Sequence, residues 1–265
     1  MPATTPAPAH TSIRSADGGL QAVLWDMDGT IVDTEPYWIA AEKELVAAHG
    51  GVWTDEDAMS VVGNALDVSA AVLQESIIRQ GGPVVEPRTI IDTLSSRVIE
   101  QVRTQVPWRP GARELLEDLN AAGVPCALVT MSEGPLAATI LSALPEGTMR
   151  FAVTGDLVSR GKPDPEPYLV GLERLRGIVP GLDPARVVAI EDSVPGVASA
   201  AASGATTIAV PHVVPLPAPR NWTVWDTLEG RTAADLDALV RAVVAGGSGE
   251  AGAVSAGAAA DGPGE

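Results

Sequence analysis

The chain is poor in lysine, in cysteine and in positive charge, and each shortage removes a class of explanation. Only 17 Lys and Arg stand against 34 Asp and Glu, a formal net charge of −17. That balance argues against a surface that binds nucleic acid or an anionic membrane by releasing counter-ions. A small anionic substrate would need a local positive field, from a divalent cation, helix N-termini and one or two basic side chains. The single cysteine, Cys126, sits in the apolar run VPCALVT and cannot close an intramolecular disulfide. A reducing compartment and a buried, inert thiol fit it, and the expected location is the cytoplasm. No window has the length and apolarity of a membrane span, and the N-terminal stretch has no apolar core of a signal peptide. The histidines are His10 in that stretch, His49 beside Gly50-Gly51 and His212 in a Pro-rich loop, so a Ser/His/Asp hydrolase is rejected.

What is present is a globular core. At 265 residues and 46% hydrophobic content the chain can bury a large domain, or a domain with an inserted module. Residues 1–20 read as a flexible leader, and 246–265, rich in Gly, Ala and Ser, as a disordered tail. Short apolar runs predict strands at 22–25, 125–129, 150–153, 186–190 and 206–210, alternating with helices at 112–121, after 134, after 165 and at 232–245. This rhythm predicts an α/β fold, a Rossmann-like parallel sheet of five strands with right-handed crossovers. Between the first strand and 106 the spacing is helical, at 37–48, 68–80 and 89–102, with Thr34 as candidate N-cap and Pro36 in the first turn. The expected organisation is a core of 21–33 and 106–245 carrying an inserted α-helical cap at 34–105.

The stretch AVLWDMDGTIVDTEP delivers Asp26 and Asp28 at the end of the first strand, into a turn made by Gly29. Asp-Gly is also a plain turn signal. Thr130, Lys162 and the pair Glu191-Asp192 likewise follow predicted strands or their loops, so a parallel sheet brings all of them to one edge. Asp26 and Asp192 can share a hard cation such as Mg²⁺, while a Lys and a Thr hydroxyl hold phosphate oxygens. One carboxylate is then free as a nucleophile and another for protons. Glu191-Asp192-Ser193 reads equally well as a helix cap, and Thr130 alone as a turn residue. Lysine occurs at Lys43 and Lys162 only, in a chain that otherwise uses Arg. A compact point charge at 162 suits a gap between acidic side chains better than a guanidinium fork.

In these four motifs, DMDGT at 26–30, Thr130, Lys162 in GKPDPEPY and IEDSVPGV from Ile190, the chain resembles the haloacid dehalogenase-like hydrolase superfamily, over roughly 21–245. The resemblance implies Asp26 as the nucleophile that forms an aspartyl-phosphate and Asp28 as general acid and base. It implies Thr130 on the transferring phosphoryl group, Lys162 on its charge, and Mg²⁺ held by Asp26, Asp28, Glu191 and Asp192, with Asp28 contributing its backbone carbonyl. Gly29, Thr30, Met131 and Ser132 border those motifs and are assigned to the substrate, with Gly63 and Asn64 as the specificity loop of the cap.

An acid/base Asp28 disfavours a true haloacid dehalogenase, and Lys43, flanked by Glu42 and Glu44, does not look like a Schiff-base lysine of a phosphonatase. A sugar-phosphate mutase needs a basic residue in the cap loop for the second phosphate, and Gly63-Asn64-Ala65-Leu66 has none. The expectation is a Mg²⁺-dependent phosphatase acting on a small-molecule phosphate monoester of the sugar phosphate, polyol phosphate or phosphoglycolate type, as a monomer or weak homodimer. A mutase of the beta-phosphoglucomutase type and a catalytically silent binding protein of the same fold are the alternatives.

Overall fold

β1 (Ala22–Trp25) is buried along its whole length, as a central parallel strand must be when helices cover both sheet faces. The fold is that of a computed structural model, which describes residues 18–62, 64–218 and 221–250. β2 (Cys126–Val129), β3 (Met149–Val153), β4 (Val187–Glu191), β5 (Thr206–Ala209) and β6 (Thr223–Val224) complete a parallel sheet of six strands in the order β3-β2-β1-β4-β5-β6. The expected five-stranded sheet is thereby corrected. β6 is two residues long, one of them exposed, and follows a Pro-rich loop, so it carries no apolar run that sequence alone would reveal.

Alternation along β1 divides the core. Val23 and Trp25 join the apolar cluster that contains Leu115 and Leu119 of α5 (Ala112–Ala121) and Leu236 of α9 (Ala233–Glu250). Ala22 and Leu24 face the opposite way, with Tyr168 and Leu172 of α7 (Glu166–Arg176) and Ala200 of α8 (Val194–Ala202). The backbone of α9 runs on through Glu250 instead of ending at Ala245, so the expected tail begins inside it. Most of the expected leader and the rest of the tail lie outside the described residues.

The helices between β1 and α5 are α1 (Glu35–Ala48), α2 (Asp55–Met59), α3 (Leu66–Arg79) and α4 (Pro87–Thr104). α2 was not expected; it is too short to show a period and is fixed by a reciprocal capping box between Thr54 and Asp57. Leu45, Leu73, Ile77, Ile90, Leu94 and Val98 bury the apolar stripes of α1, α3 and α4. The chain enters and leaves this insert side by side: Asp33 N–H donates to Pro107 O at 2.8 Å and Arg109 N–H to Ile31 O at 2.9 Å. Among the described residues no helix is long and apolar enough to cross a membrane.

Candidate active site

β1 has β2 on one side and β4 on the other, and the chain winds away from it in both directions. The crevice at the carboxyl ends of such strands is where an open α/β sheet binds ligands. Asp26 sits there as β1 ends, its N–H on Ile190 O at 3.0 Å. The chain then turns tightly, with Gly29 N–H donating to Val32 O at 2.7 Å. Gly29 has φ +88°, and a Cβ built on it would stand 2.1 Å from Asp192 Oδ2. Only glycine lets this turn lie against that carboxylate.

Lys162 arrives from the loop after β3, and the loop is tied by its own acids. The Glu166 carboxylate accepts the N–H groups of Ser159 (2.7 Å) and Arg160 (3.1 Å), Asp164 Oδ1 accepts Glu166 N–H (2.9 Å), and Ser199 Oγ donates to Asp164 O (2.6 Å). Asp164 thus ties the loop to the first residue of α7. Its loop fixed, Lys162 extends into the crevice and places Nζ 2.6 Å from Asp26 Oδ1, 2.6 Å from Glu191 Oε1 and 2.9 Å from Val129 O. Burial alone would lower its pKa, but the charges of Asp26 and Glu191 outweigh that and raise it, so the ammonium stays charged.

Asp28 faces a different set of groups. Thr34 Oγ1 donates to its Oδ1 at 2.5 Å, and Ser132 Oγ donates to Oδ2 at 2.7 Å, with Thr130 Oγ1 at 3.4 Å from the same oxygen. Burial raises the Asp28 pKa above the usual carboxylate range; the Thr34 and Ser132 hydrogen bonds pull it down, and the Asp26 charge adds to the rise. A carboxyl whose neutral form burial favours, two positions from one paired with an ammonium, is the arrangement that acid/base chemistry requires. Thr34, expected as a helix cap, makes no capping bond; its hydroxyl is spent on Asp28.

Carboxylate oxygens of Asp26, Glu191 and Asp192 lie within 4.8 Å of one another. Burial, then the charges of Asp26 and Glu191, push Asp192 up to about 9. Desolvated acids this close repel one another, and a divalent cation is the natural remedy. The Asp28 side chain does not belong to this group.

Of the residues assigned to substrate, Ser132 and Gly29 stand at the site as described. Thr30 Oγ1 points to Asp192 Oδ1 at 3.4 Å, and the Met131 sulfur accepts Lys162 N–H at 3.4 Å, so both brace other site residues. Asn64 is exposed between α2 and α3 with its N–H on Val61 O, and Gly63 lies outside the described residues. Tyr168 was missed. It is fully buried, donates to Glu191 Oε1 at 2.7 Å and places its ring 5.3 Å from Lys162 Nζ. Burial, then the nearby Glu191 charge, holds its pKa well above normal, so it remains a donor. In sequence it reads as one more apolar position of α7.

Known proteins resemble this chain in sequence and fold. An N-acetylmuramic acid 6-phosphate phosphatase of Pseudomonas aeruginosa is 35% identical over 212 residues, covering 77% of this chain and 88% of its own. A phosphorylated carbohydrates phosphatase of Thermotoga maritima is 31% identical over 190 residues, covering 70% and 82%. The solved structure of a CbbY variant from Rhodobacter sphaeroides, in complex with xylulose-(1,5)-bisphosphate, superposes with a TM-score of 0.69 at 25% identity, over 82% of this chain and 99% of that one. The profile of the haloacid dehalogenase-like hydrolases matches residues 23–210, which hold every motif described above, and the chain belongs to that family.

Proposed function

We propose that this hydrolase cleaves a small-molecule phosphate monoester, of the sugar or polyol phosphate type, through an aspartyl-phosphate on Asp26. The observation that carries the reading is the contrast between two carboxylates two positions apart. Asp26 is gripped by the Lys162 ammonium at 2.6 Å, whereas Asp28 is gripped by the hydroxyls of Thr34 and Ser132. In the first half-reaction an Asp26 oxygen forms a bond to phosphorus, the bond from phosphorus to the ester oxygen breaks, and Asp28 gives its proton to the departing alkoxide. In the second, Asp28 takes a proton from water, the water oxygen bonds to phosphorus, and the bond from phosphorus to Asp26 breaks, releasing inorganic phosphate. Lys162 and the Thr130 hydroxyl neutralise charge on the equatorial phosphoryl oxygens, where catalysis of phosphoryl transfer mostly lies.

Asp26 and Asp192, with the backbone carbonyl of Asp28, are the groups that suit Mg²⁺. When bound, the ion supplies positive charge to the phosphoryl oxygens. The insert at 34–105 serves as a cap that closes over the core of 21–33 and 106–245 to exclude water and select the alcohol. Among its cations, Lys43 pairs with Asp55, Arg88 with Glu133 and Asp92, and Arg97 with Glu44. Burial pushes the Cys126 thiol up to about 12, an inert group suited to the reducing cytoplasm.

The test is phosphate release from hexose, hexitol and N-acetylmuramic acid phosphates and from phosphoglycolate, with Mg²⁺ and with chelator. Chelator-sensitive turnover of one class, abolished by Asp26→Asn in a folded protein, is the expected result. Turnover retained in Asp26→Asn overturns the nucleophile assignment, and no turnover of any ester overturns the phosphatase reading.

A further inference from the structure

Two adjacent acids, Glu191 and Asp192, close β4, and sequence alone gives them the same task. Their surroundings do not. Glu191 is fully buried, and its Oε1 accepts both Lys162 Nζ at 2.6 Å and the Tyr168 hydroxyl at 2.7 Å. Its Oε2 accepts Asp192 N–H at 3.3 Å and Ser193 Oγ at 3.4 Å. The first turn of α8 closes on the same oxygen so tightly that a Cβ at Gly196 would stand 1.9 Å from it. A carboxylate has about four lone-pair directions, and each oxygen of Glu191 already takes two donors. Asp192, by contrast, takes one long bond from Thr30 at 3.4 Å among the described residues. It is the member of the pair with oxygen to spare for a cation.

We propose that Tyr168 is a positioning residue: by sharing Glu191 Oε1 with Lys162 it holds Glu191 as the counter-ion of that lysine, leaving cation binding to Asp26 and Asp192. The tyrosine acts at both ends of the contact. Its hydroxyl fixes the carboxylate rotamer and takes up part of the carboxylate charge, so Glu191 does not draw Lys162 away from Asp26. Its ring stands beside Nζ at 5.3 Å and favours the charged form. Phenylalanine at this position would keep the ring and lose the anchor. The kinetic consequence rests on the phosphatase reading above, whereas the assignment of ligands does not.

The experiment is Mn²⁺ binding to the enzyme without substrate, followed by the electron paramagnetic resonance of free Mn²⁺, beside steady-state kinetics. Both variants should weaken Mn²⁺ binding, but Asp192→Asn, which removes a ligand, by about tenfold or more beyond Glu191→Gln, which removes only a neighbouring charge. Tyr168→Phe should lower kcat by about tenfold, the worth of one buried hydrogen bond to a charged group, with KM and the Mn²⁺ Kd unchanged. Equal loss of Mn²⁺ affinity in Glu191→Gln and Asp192→Asn would overturn the assignment, as would a wild-type kcat in Tyr168→Phe. Near-UV circular dichroism reports folding of each variant. If Glu191→Gln leaves Lys162 stranded and the protein unfolded, the double variant Lys162→Met, Glu191→Gln removes the whole buried pair and allows the Mn²⁺ measurement to be repeated. Should the wild type hydrolyse no ester, the phosphatase reading fails and the Mn²⁺ comparison still decides this one.

Discussion

Thr34 donates its hydroxyl to Asp28 Oδ1 at 2.5 Å, and the same threonine is the residue at which the chain leaves the core for α1. The carboxyl assigned to proton transfer is therefore held from the base of the insert. Thr34→Val keeps the shape and removes the donor. A hydrogen bond to a charged group is worth about 1.5–3 kcal/mol, so kcat is expected to fall about tenfold or more, with KM little changed. Steady-state kinetics on the substrate found by the phosphate-release panel would check this; an unchanged kcat would mean that Ser132 alone suffices to orient Asp28.

The two threonines show where sequence reading reaches and where it stops. Thr130 was found because it ends a strand, and strands buried on both faces announce themselves as continuous apolar runs: β1, β2 and β4 are buried at every position. A parallel sheet then carries the ends of such strands to one edge, which is why Asp26, Thr130 and Glu191 meet although far apart in the chain. Thr34 does stand at the N-cap position of α1, but its side chain makes no capping bond. Threonine before Glu-Pro is an N-cap pattern, and nothing local reveals that a carboxylate from another turn takes its hydroxyl. Tyr168 and the two-residue β6 were hidden for related reasons, since tertiary partners define both and neither shows a period. The helical insert was legible as helices, while Asn64 gave no sign of lying exposed on the loop between α2 and α3.

Gly29→Ala should be among the most damaging single-methyl changes in the chain. It forces an L side chain into the left-handed region, costing about 1–2 kcal/mol, and drives a methyl to 2.1 Å from Asp192 Oδ2. Asp192 must move, so cation affinity should drop by about tenfold or more along with activity. Isothermal titration with Mg²⁺ in the folded variant would test it, and wild-type affinity would show that Asp192 is not the carboxylate that matters.

Arg88, at the start of α4, grips Glu133 with a two-pronged pair at 2.6 and 2.9 Å, one residue beyond Ser132 of the site. Arg88 is largely exposed, so solvent screens the pair and it should add little to stability. If the insert closes over the crevice as proposed, the pair acts on that closure. Arg88→Ala should leave the melting temperature nearly unchanged while lowering kcat/KM severalfold, and wild-type kcat/KM should itself fall as salt is raised from low ionic strength. Salt-independent kinetics identical in both proteins would detach the pair from closure.

Glu42 predicts how stability changes with pH. It is buried within the insert, accepts Trp53 Nε1–H at 3.0 Å, and burial raises its pKa to about 7, with the Trp53 bond opposing the rise. Glu35, two turns earlier on α1, is raised to about 7 as well, by burial first and then by the charges of Glu42, Asp28 and Asp33. Between the unfolded carboxylate value of about 4.3 and that folded value the native state binds more protons than the unfolded chain, so stability is greatest at low pH and is lost as pH rises through about 7. The melting temperature should fall between pH 5 and pH 8, within the limits set by other groups. Glu42→Gln keeps an acceptor for Trp53 and removes the titration, and it also relieves Glu35 of a neighbouring charge. The variant should melt higher than the wild type at pH 8 and differ little at pH 5; equal melting at both would show that Glu42 is ionised in the folded protein without penalty.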